Sequence, residues 1–466
     1  MLTPLTVILA CLAWAAVLFG VALWGERNAS RLVRIWPVVY TLSLAVHCTA
    51  WTYYGAVAQA VRWDFFSPPT YLGIVLLLVF GLRFLTRLGR LTHEHNSASL
   101  ADLVTSRFGK DRRLGIAITA VALLGMVPYI ALQLKAVALS FTLLIGGDPN
   151  QQPAYLDASL WVALVMAAFT MLFGTRRASA TEHNRGIVLA LGFESLLKLT
   201  ALLAVGAFVV WGTHDGFADL SQRAQALPPG NYDGSFYALM GLGAIAMFTL
   251  PHQFHVGIVE LRQESDLRVA RWLFPLYLLL IALPVLPIAW AGQLDIGGKV
   301  PPDLYVLALP MASGQKGLAL LTFLGGMSAA TGMAILSALT LSIMLANHWI
   351  SPSFVRGATR STSGSDLRPW VLANRRFGIV MVFVLSWLYS QAMSGAKALA
   401  DFGILSFSAL AQLAPAVVLA VYRPRLPSGA VLAGIVLGSL VWVWLMLVPT
   451  AMQAGLVPQF DPGNGL

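Results

Sequence analysis

Glu194 and Lys198 stand four residues apart in the apolar run Phe193-Glu194-Ser195-Leu196-Leu197-Lys198-Leu199. At that spacing two side chains share one face of a helix and can pair. A buried acid–base pair can trade a proton, which makes these residues candidates for proton coupling. The plain alternative is a static salt bridge between packed helices. Lys135, two residues from Gln133, is the other charge deep in an apolar stretch. It suits solute or gating contact, or it snorkels toward a span end. Gln133 reads as cavity-lining, because an amide facing lipid is costly. From Thr41 to Ala56 an apolar run is crowded with polar groups: His47, Thr49, Trp51, Thr52, Tyr53 and Tyr54, with Gly55 loosening the backbone. Such groups are tolerated at membrane depth only where they face protein or a wet cavity, so the stretch reads as one wall of a buried solute site. His252, Gln253 and His255 follow Pro251 in a second such run, which also holds Gly241 and Gly243. The two histidines have no third ligand at matching spacing, so they read as cavity lining rather than a metal site.

These residues need elements that hold them inside a bilayer, and the composition supplies them. Of 466 residues, 58% are hydrophobic and only 11% charged, with a mean hydropathy of +0.75. A soluble chain is about a quarter charged. Apolar runs of roughly 20 residues, each enough for a hydrocarbon core about 30 Å thick, recur along the whole length. This is an all-α polytopic membrane protein. Cys11 and Cys48 both lie in apolar runs, which implies neither a disulfide framework nor a zinc site. The net charge of +10 fits the positive-inside bias better than nucleic-acid binding. No nucleophile–base pair or metal motif appears in the spans, so the chain does not read as an enzyme.

Twelve spans are expected, at 3–24, 35–61, 70–89, 113–146, 157–175, 186–212, 236–259, 271–293, 315–347, 375–394, 398–421 and 429–450. No basic region precedes the first, so it does not read as a cleaved signal. With the N-terminus outside, alternate loops place 23 of the 30 Lys and Arg residues in the cytoplasm and five outside, the asymmetry that sets orientation. The tail from Gln459 to Leu466 then falls outside. Spans two to six and seven to eleven form two sets of five, whose odd number gives them opposite orientation. The runs around Thr41–Ala56 and Gly241–His255 are then matching interrupted helices, the sequence pointer to a midplane site in inverted-repeat transporters. A short helix is expected at Ser99–Val104, and Ser351 to Asp366 reads as a flexible loop.

Four blocks carry a resemblance to the sodium:solute symporter family over most of 35–450. They are Ser99-Leu-Ala-Asp-Leu-Val-Thr-Ser-Arg107-Phe-Gly109, Pro251-His-Gln with the charged tail Glu260 to Arg271, Gly325-Gly-Met-Ser328-Ala-Ala-Thr331, and Leu405-Ser-Phe-Ser-Ala-Leu-Ala-Gln412-Leu-Ala-Pro415. Cys48-Thr-Ala-Trp51-Thr-Tyr-Tyr-Gly55, Tyr129-Ile-Ala-Leu-Gln133 and the Phe193–Leu199 run most resemble the transporter-like N-terminal domains of CbrA-type sensor histidine kinases. The resemblance implies a LeuT-like 5+5 inverted repeat at 35–421. An extra helix and cytoplasmic loop precede it at 1–34, and an extra helix with a periplasmic tail follows at 422–466. It implies a bacterial inner membrane, and a secondary transporter of a small amino-acid-like solute, histidine favoured. Relatives continue into a thirteenth helix and signalling domains, so the chain is expected to be a truncated transport or sensing module. Its partners would be the solute, the lipid bilayer and, through a longer parent, cytoplasmic signalling domains or a response regulator. The rival reading is a receptor that binds solute with little or no transport.

The resemblance also assigns roles. It puts Trp51 where relatives contact substrate, and the residue reading adds His47, Tyr54, Gln133, His252, Gln253 and His255 as candidate solute contacts. The family's sodium ligands match the carbonyls of Ala45 and Cys48 and the hydroxyl of Ser328, but Ala329 replaces a second hydroxyl. Thr331, a turn further on, is an imperfect substitute. No cofactor is implied beyond a coupling ion, Na+ or H+. With one ligand missing, and with Glu194 and Lys198 passing the same site in that fold, a lysine ammonium could stand in for sodium, with the proton of the pair as coupling particle. Lys135 is the remaining coupling or gating candidate.

Overall fold

The computed structural model describes residues 2–147, 158–174, 185–350, 368–392 and 399–453. Among these, every regular element is a helix. The principal ones are α1 (Pro4–Arg27), α2 (in two halves, Trp36–Ser43 and Gly55–Trp63), α3 (Pro69–Phe80), α4 (Arg112–Ile145), α5 (Ala158–Gly174) and α6 (Arg185–Phe208). They continue with α7 (Gly234–Thr249), α8 (Glu264–Ala282), α9 (Lys316–Leu345), α10 (Arg368–Ala392), α11 (Leu399–Ala411) and α12 (Ser428–Trp442). Among the described residues, eight helices are long and apolar enough to cross a bilayer, or ten if two bent pairs each count as one span. The other two expected spans are present in altered form. The span at 35–61 is broken into short pieces, and the described part of the one at 157–175 has 17 residues.

The expected span at 70–89 needs correction. Its apolar part stops at Phe80, and the chain then turns by 79° into the helix Leu82–Glu94. That helix carries Arg83, Arg87 and Arg90 beside buried Leu85 and Leu88. Three guanidinium groups cannot follow the apolar part into hydrocarbon, so the chain bends and keeps one greasy face inward. The short helix expected after Ser99 runs Leu100–Arg107, with the Ser99 hydroxyl accepting from the Asp102 N–H. Helices at Phe217–Ala224 and Tyr305–Ala312 were not expected. The loop from Ser351 to Asp366 and the tail from Gln459 lie outside the described residues.

Burial ranks the helices. Of its most apolar stretch, α9 has 89% buried and α4 72%, against 11% for α1 and 17% for α12. The core is therefore built on α4 and α9, while α1 and α12 flank it. α3 lies along α7 so closely that side chains are excluded from the crossing. A Cβ on Gly73 would sit 1.8 Å from the Met240 carbonyl, and one on Gly243 would sit 2.2 Å from that of Thr70. Close crossings of this kind are a common use of glycine in membrane helices.

Candidate functional site

Both expected interruptions are present. In α2 the helix tightens to a 3-10 turn at Leu44–His47, opens at Cys48 and restarts beyond extended Thr49, whose hydroxyl accepts from the Trp51 N–H. In α7, Leu250 turns extended before Pro251 and the helix restarts with a 56° bend. Proline supplies no N–H and pushes its predecessor out of helical geometry, which accounts for the break. The two breaks touch. The Gln253 Nε2 group donates to the Leu44 carbonyl at 3.4 Å, and the Tyr40 hydroxyl donates to the Gly257 carbonyl at 2.6 Å.

A break deep in a bilayer strands backbone groups, and side chains from neighbouring helices take them up. The Ala50 N–H donates to Gln133 Oε1 at 3.0 Å, and Gln133 Nε2 donates to the Tyr129 carbonyl at 3.2 Å. Gln133 therefore spends both ends of its amide on backbone, holding the restarted helix against α4. The Tyr129 and Thr49 hydroxyls lie 3.0 Å apart. On the opposite side, the Lys198 ammonium donates to the carbonyls of Ala45 at 3.0 Å and Cys48 at 3.2 Å. Neither carbonyl has the usual partner four residues on, because the Thr49 and Thr52 N–H groups turn to His47 and Thr49 instead. Glu194 Oε1 lies 3.5 Å from the same ammonium, and both side chains are almost wholly buried. The lysine thus sits on the oxygens that the resemblance assigns to sodium.

The remaining candidates divide. Among the described residues, fully buried His47 has no hydrogen-bond partner at either ring nitrogen, and neither His252 Nε2 nor Gln253 Oε1 has one. His252 Nδ1 meets the Ser337 hydroxyl at 3.1 Å. The Trp51 ring packs on Phe407 at 4.9 Å, Phe407 on Tyr129 at 5.4 Å, and Tyr129 on His252 at 6.2 Å. This relay of rings joins Trp51 to His252 across the centre. His255 does not act with His252: its Nε2 lies 3.6 Å from buried Glu260. No group of three or more His, Cys, Asp or Glu placed to hold a metal occurs among the described residues. The Tyr54 hydroxyl is pressed against Gly326 on α9, where a Cβ would come within 1.9 Å. Lys135 lies over the Phe402 ring at 5.7 Å. Ser328 accepts from the Trp14 indole at 3.3 Å, and Thr331 donates to the Ser328 carbonyl at 3.3 Å.

Phe407, Trp14 and Asp303 went unnoticed in the sequence. Phe407 lies in one of the four blocks, but nothing in Leu405-Ser-Phe-Ser singles out the ring. Asp303 is buried, and its carboxylate and the Trp51 indole converge over Gly55, each within 4 Å of where a Cβ would stand. An acid at the start of a helical half is favourably placed against the exposed N–H groups there.

No known family model matches the chain. It is 22% identical over 359 residues to the uncharacterized symporter YhjB of Bacillus subtilis (strain 168), covering 74% of this chain and 67% of that one. In three dimensions it superimposes on the substrate-bound, outward-open state of a Na+-coupled sialic acid symporter with a TM-score of 0.65. The sequences are 13% identical, and the match covers 98% of this chain and 99% of that one. With both interrupted helices in place around buried polar groups, the chain is a multi-pass helical membrane protein with the LeuT-type inverted-repeat fold of that symporter.

Proposed function

We propose that the chain is a secondary transporter that moves a small amino-acid-like solute by alternating access and couples it to a proton. The observation that carries the coupling is the seat of the Lys198 ammonium on the Ala45 and Cys48 carbonyls, beside Glu194. A charged lysine there fills the place of a dissolved cation. Passing its proton to Glu194 turns an ion pair into two neutral groups, weakens the lysine's hold on both carbonyls and loosens α2 from α6. Sodium competes for the same oxygens and lacks the hydroxyl missing at Ala329.

The solute reading rests on the unmet groups of His47, His252 and Gln253 between the two breaks. Each buried polar atom left without a partner costs about 1–3 kcal/mol, so a solute with both donors and acceptors fits them, with Trp51 offering a flat face. The symporter relative and the shared fold support transport. Histidine as solute, a role as the sensing module of a longer signalling protein, and an outside N-terminus in a bacterial inner membrane rest on the sequence reading alone.

The test is uptake of radiolabelled histidine into proteoliposomes with sodium and pH gradients imposed separately. Uptake driven by a pH gradient without sodium, and abolished when that gradient collapses, is the expected result. Uptake that requires sodium overturns proton coupling, and binding without uptake under either gradient favours a receptor.

A further inference from the structure

A cavity of about 190 Å³ separates α1 and α5 from α6 and α9, and Glu194 lines it. Only Cys11, Trp14, Glu194 and Thr331 bring a polar side-chain atom to its wall. Two of these are spent elsewhere: the Trp14 indole donates to Ser328 Oγ, and the Thr331 hydroxyl donates to the Ser328 carbonyl, each at 3.3 Å. A thiol is a weak partner, so Glu194 is the strong polar group that the cavity holds. Among the described residues, its Oε1 atom is buried and has no hydrogen-bond partner. The Lys198 ammonium stands 3.5 Å from that oxygen, beyond ordinary hydrogen-bond reach. The carboxylate rests on the bare backbone of Gly332, which also lines the cavity. A Cβ there would lie 2.4 Å from Oε2 and 2.7 Å from Oε1. Leu12 on α1 and Val165 on α5 line the cavity too, yet are 60% and 66% exposed. The mouth therefore lies between these two helices, on the side that faces hydrocarbon.

A buried water needs about two to four polar partners, whereas a dry cavity of about 150 Å³ holds a molecule the size of benzene. One unmet acceptor in an apolar wall is too little for water and suits an apolar body with a single donor. The donor has to be neutral. Glu194 and Lys198 already cancel each other's charge, and a cation added beside them would leave a net charge in a dry interior. The Trp14 and Phe169 rings in the wall favour a flat occupant. We propose that this cavity is a side-entry site for a small, neutral, apolar alcohol the size of a phenol, whose hydroxyl donates to Glu194 Oε1. Such a bond favours the charged form of the carboxylate. On the reading that Glu194 receives the Lys198 proton, the occupant slows uptake, while the binding itself stands without that reading.

The experiment is fluorine NMR of 4-fluorophenol and of fluorobenzene, which lacks the hydroxyl, binding to the full chain in lipid nanodiscs. Each probe is referenced to its partition into empty nanodiscs. 4-Fluorophenol is expected to bind about tenfold tighter, the worth of one hydrogen bond to a charged group. Ala190→Leu fills the cavity from α6 and is expected to abolish binding of both probes; Ala15→Phe does the same from α1 should the first not fold. Glu194→Leu/Lys198→Met removes the acceptor and leaves no unpaired charge, and the preference for the hydroxyl should vanish there. Equal binding of the two probes to the wild type overturns the proposal, as does binding that survives both filling variants. So does a lipid that co-purifies with the wild type and is lost from Ala190→Leu in native mass spectrometry, which makes the cavity a seat for an acyl chain. Uptake driven by a pH gradient that ignores bound 4-fluorophenol counts against the proton role of Glu194 and leaves the site standing.

Discussion

Burying an ammonium forfeits several kcal/mol of hydration, and Lys198 recovers that loss through two carbonyls and a carboxylate. Removing the lysine strands a buried carboxylate. Lys198→Met is therefore expected to destabilise the protein by about 3–5 kcal/mol, read from thermal unfolding in detergent. The double variant Glu194→Gln/Lys198→Met leaves no unpaired charge. It should recover most of that stability while losing all dependence of uptake on a pH gradient. Recovery of both would mean the pair is structural. His252→Ala is expected to weaken solute binding by about tenfold, or 1.4 kcal/mol, in a direct binding assay, with little change in unfolding temperature. The four-residue spacing of Glu194 and Lys198 was legible because a helix fixes which residues share a face. That Lys198 meets Ala45 and Cys48 could be expected only through the family resemblance, not from spacing, since the contacts span about 150 residues of chain.

Among the elements, the broken helices depend on neighbours to take up stranded backbone groups. Gln133→Ala leaves the Ala50 N–H without its partner in a dry interior, an expected cost of about 1–3 kcal/mol in thermal unfolding. Gln133→Glu keeps an acceptor and should lose less, unless burial of the new acid dominates. The C-terminal end of α2 is tied to the start of α7 by Arg62 and Asp233. Hydrogen bonding from Ser235, and then the Arg62 guanidinium, hold the Asp233 carboxyl down to about 2. A depressed carboxyl contributes above its unfolded value and loses that contribution only as pH falls through about 2. Asp233→Asn is accordingly expected to leave the pH midpoint of uptake where it was, and a displaced midpoint would place part of the coupling at this tie. Both interruptions were legible from Gly55, Gly243 and Pro251 among polar neighbours. The bend after Phe80 was missed because hydropathy averages over a window, while the arginines that force the turn recur only every three or four residues.

For the whole molecule, the burial order from α9 down to α1 and α12 describes a core with flanking helices at either end. Orientation is a separate matter. The charge asymmetry predicts that a reporter fused after Gly109 is cytoplasmic and one fused after Pro229 is not. Paired fluorescent-protein and alkaline-phosphatase fusions check this, and the reverse pattern would invert the proposed topology.

What the sequence determined by itself is the membrane, the approximate spans, the two interrupted helices and the polar residues that had to be hidden. These follow from local quantities: hydropathy over one helix length, helical spacing, and the backbone limits of glycine and proline. Only the tertiary structure decided that Lys198 sits on the carbonyls of one break, that Gln133 caps its restart, that Phe407 and Tyr129 bridge Trp51 and His252, and that Trp14 reaches Ser328. A hydrogen-bond partner is fixed by where two helices come to lie against each other, and no window along a single helix contains that distance.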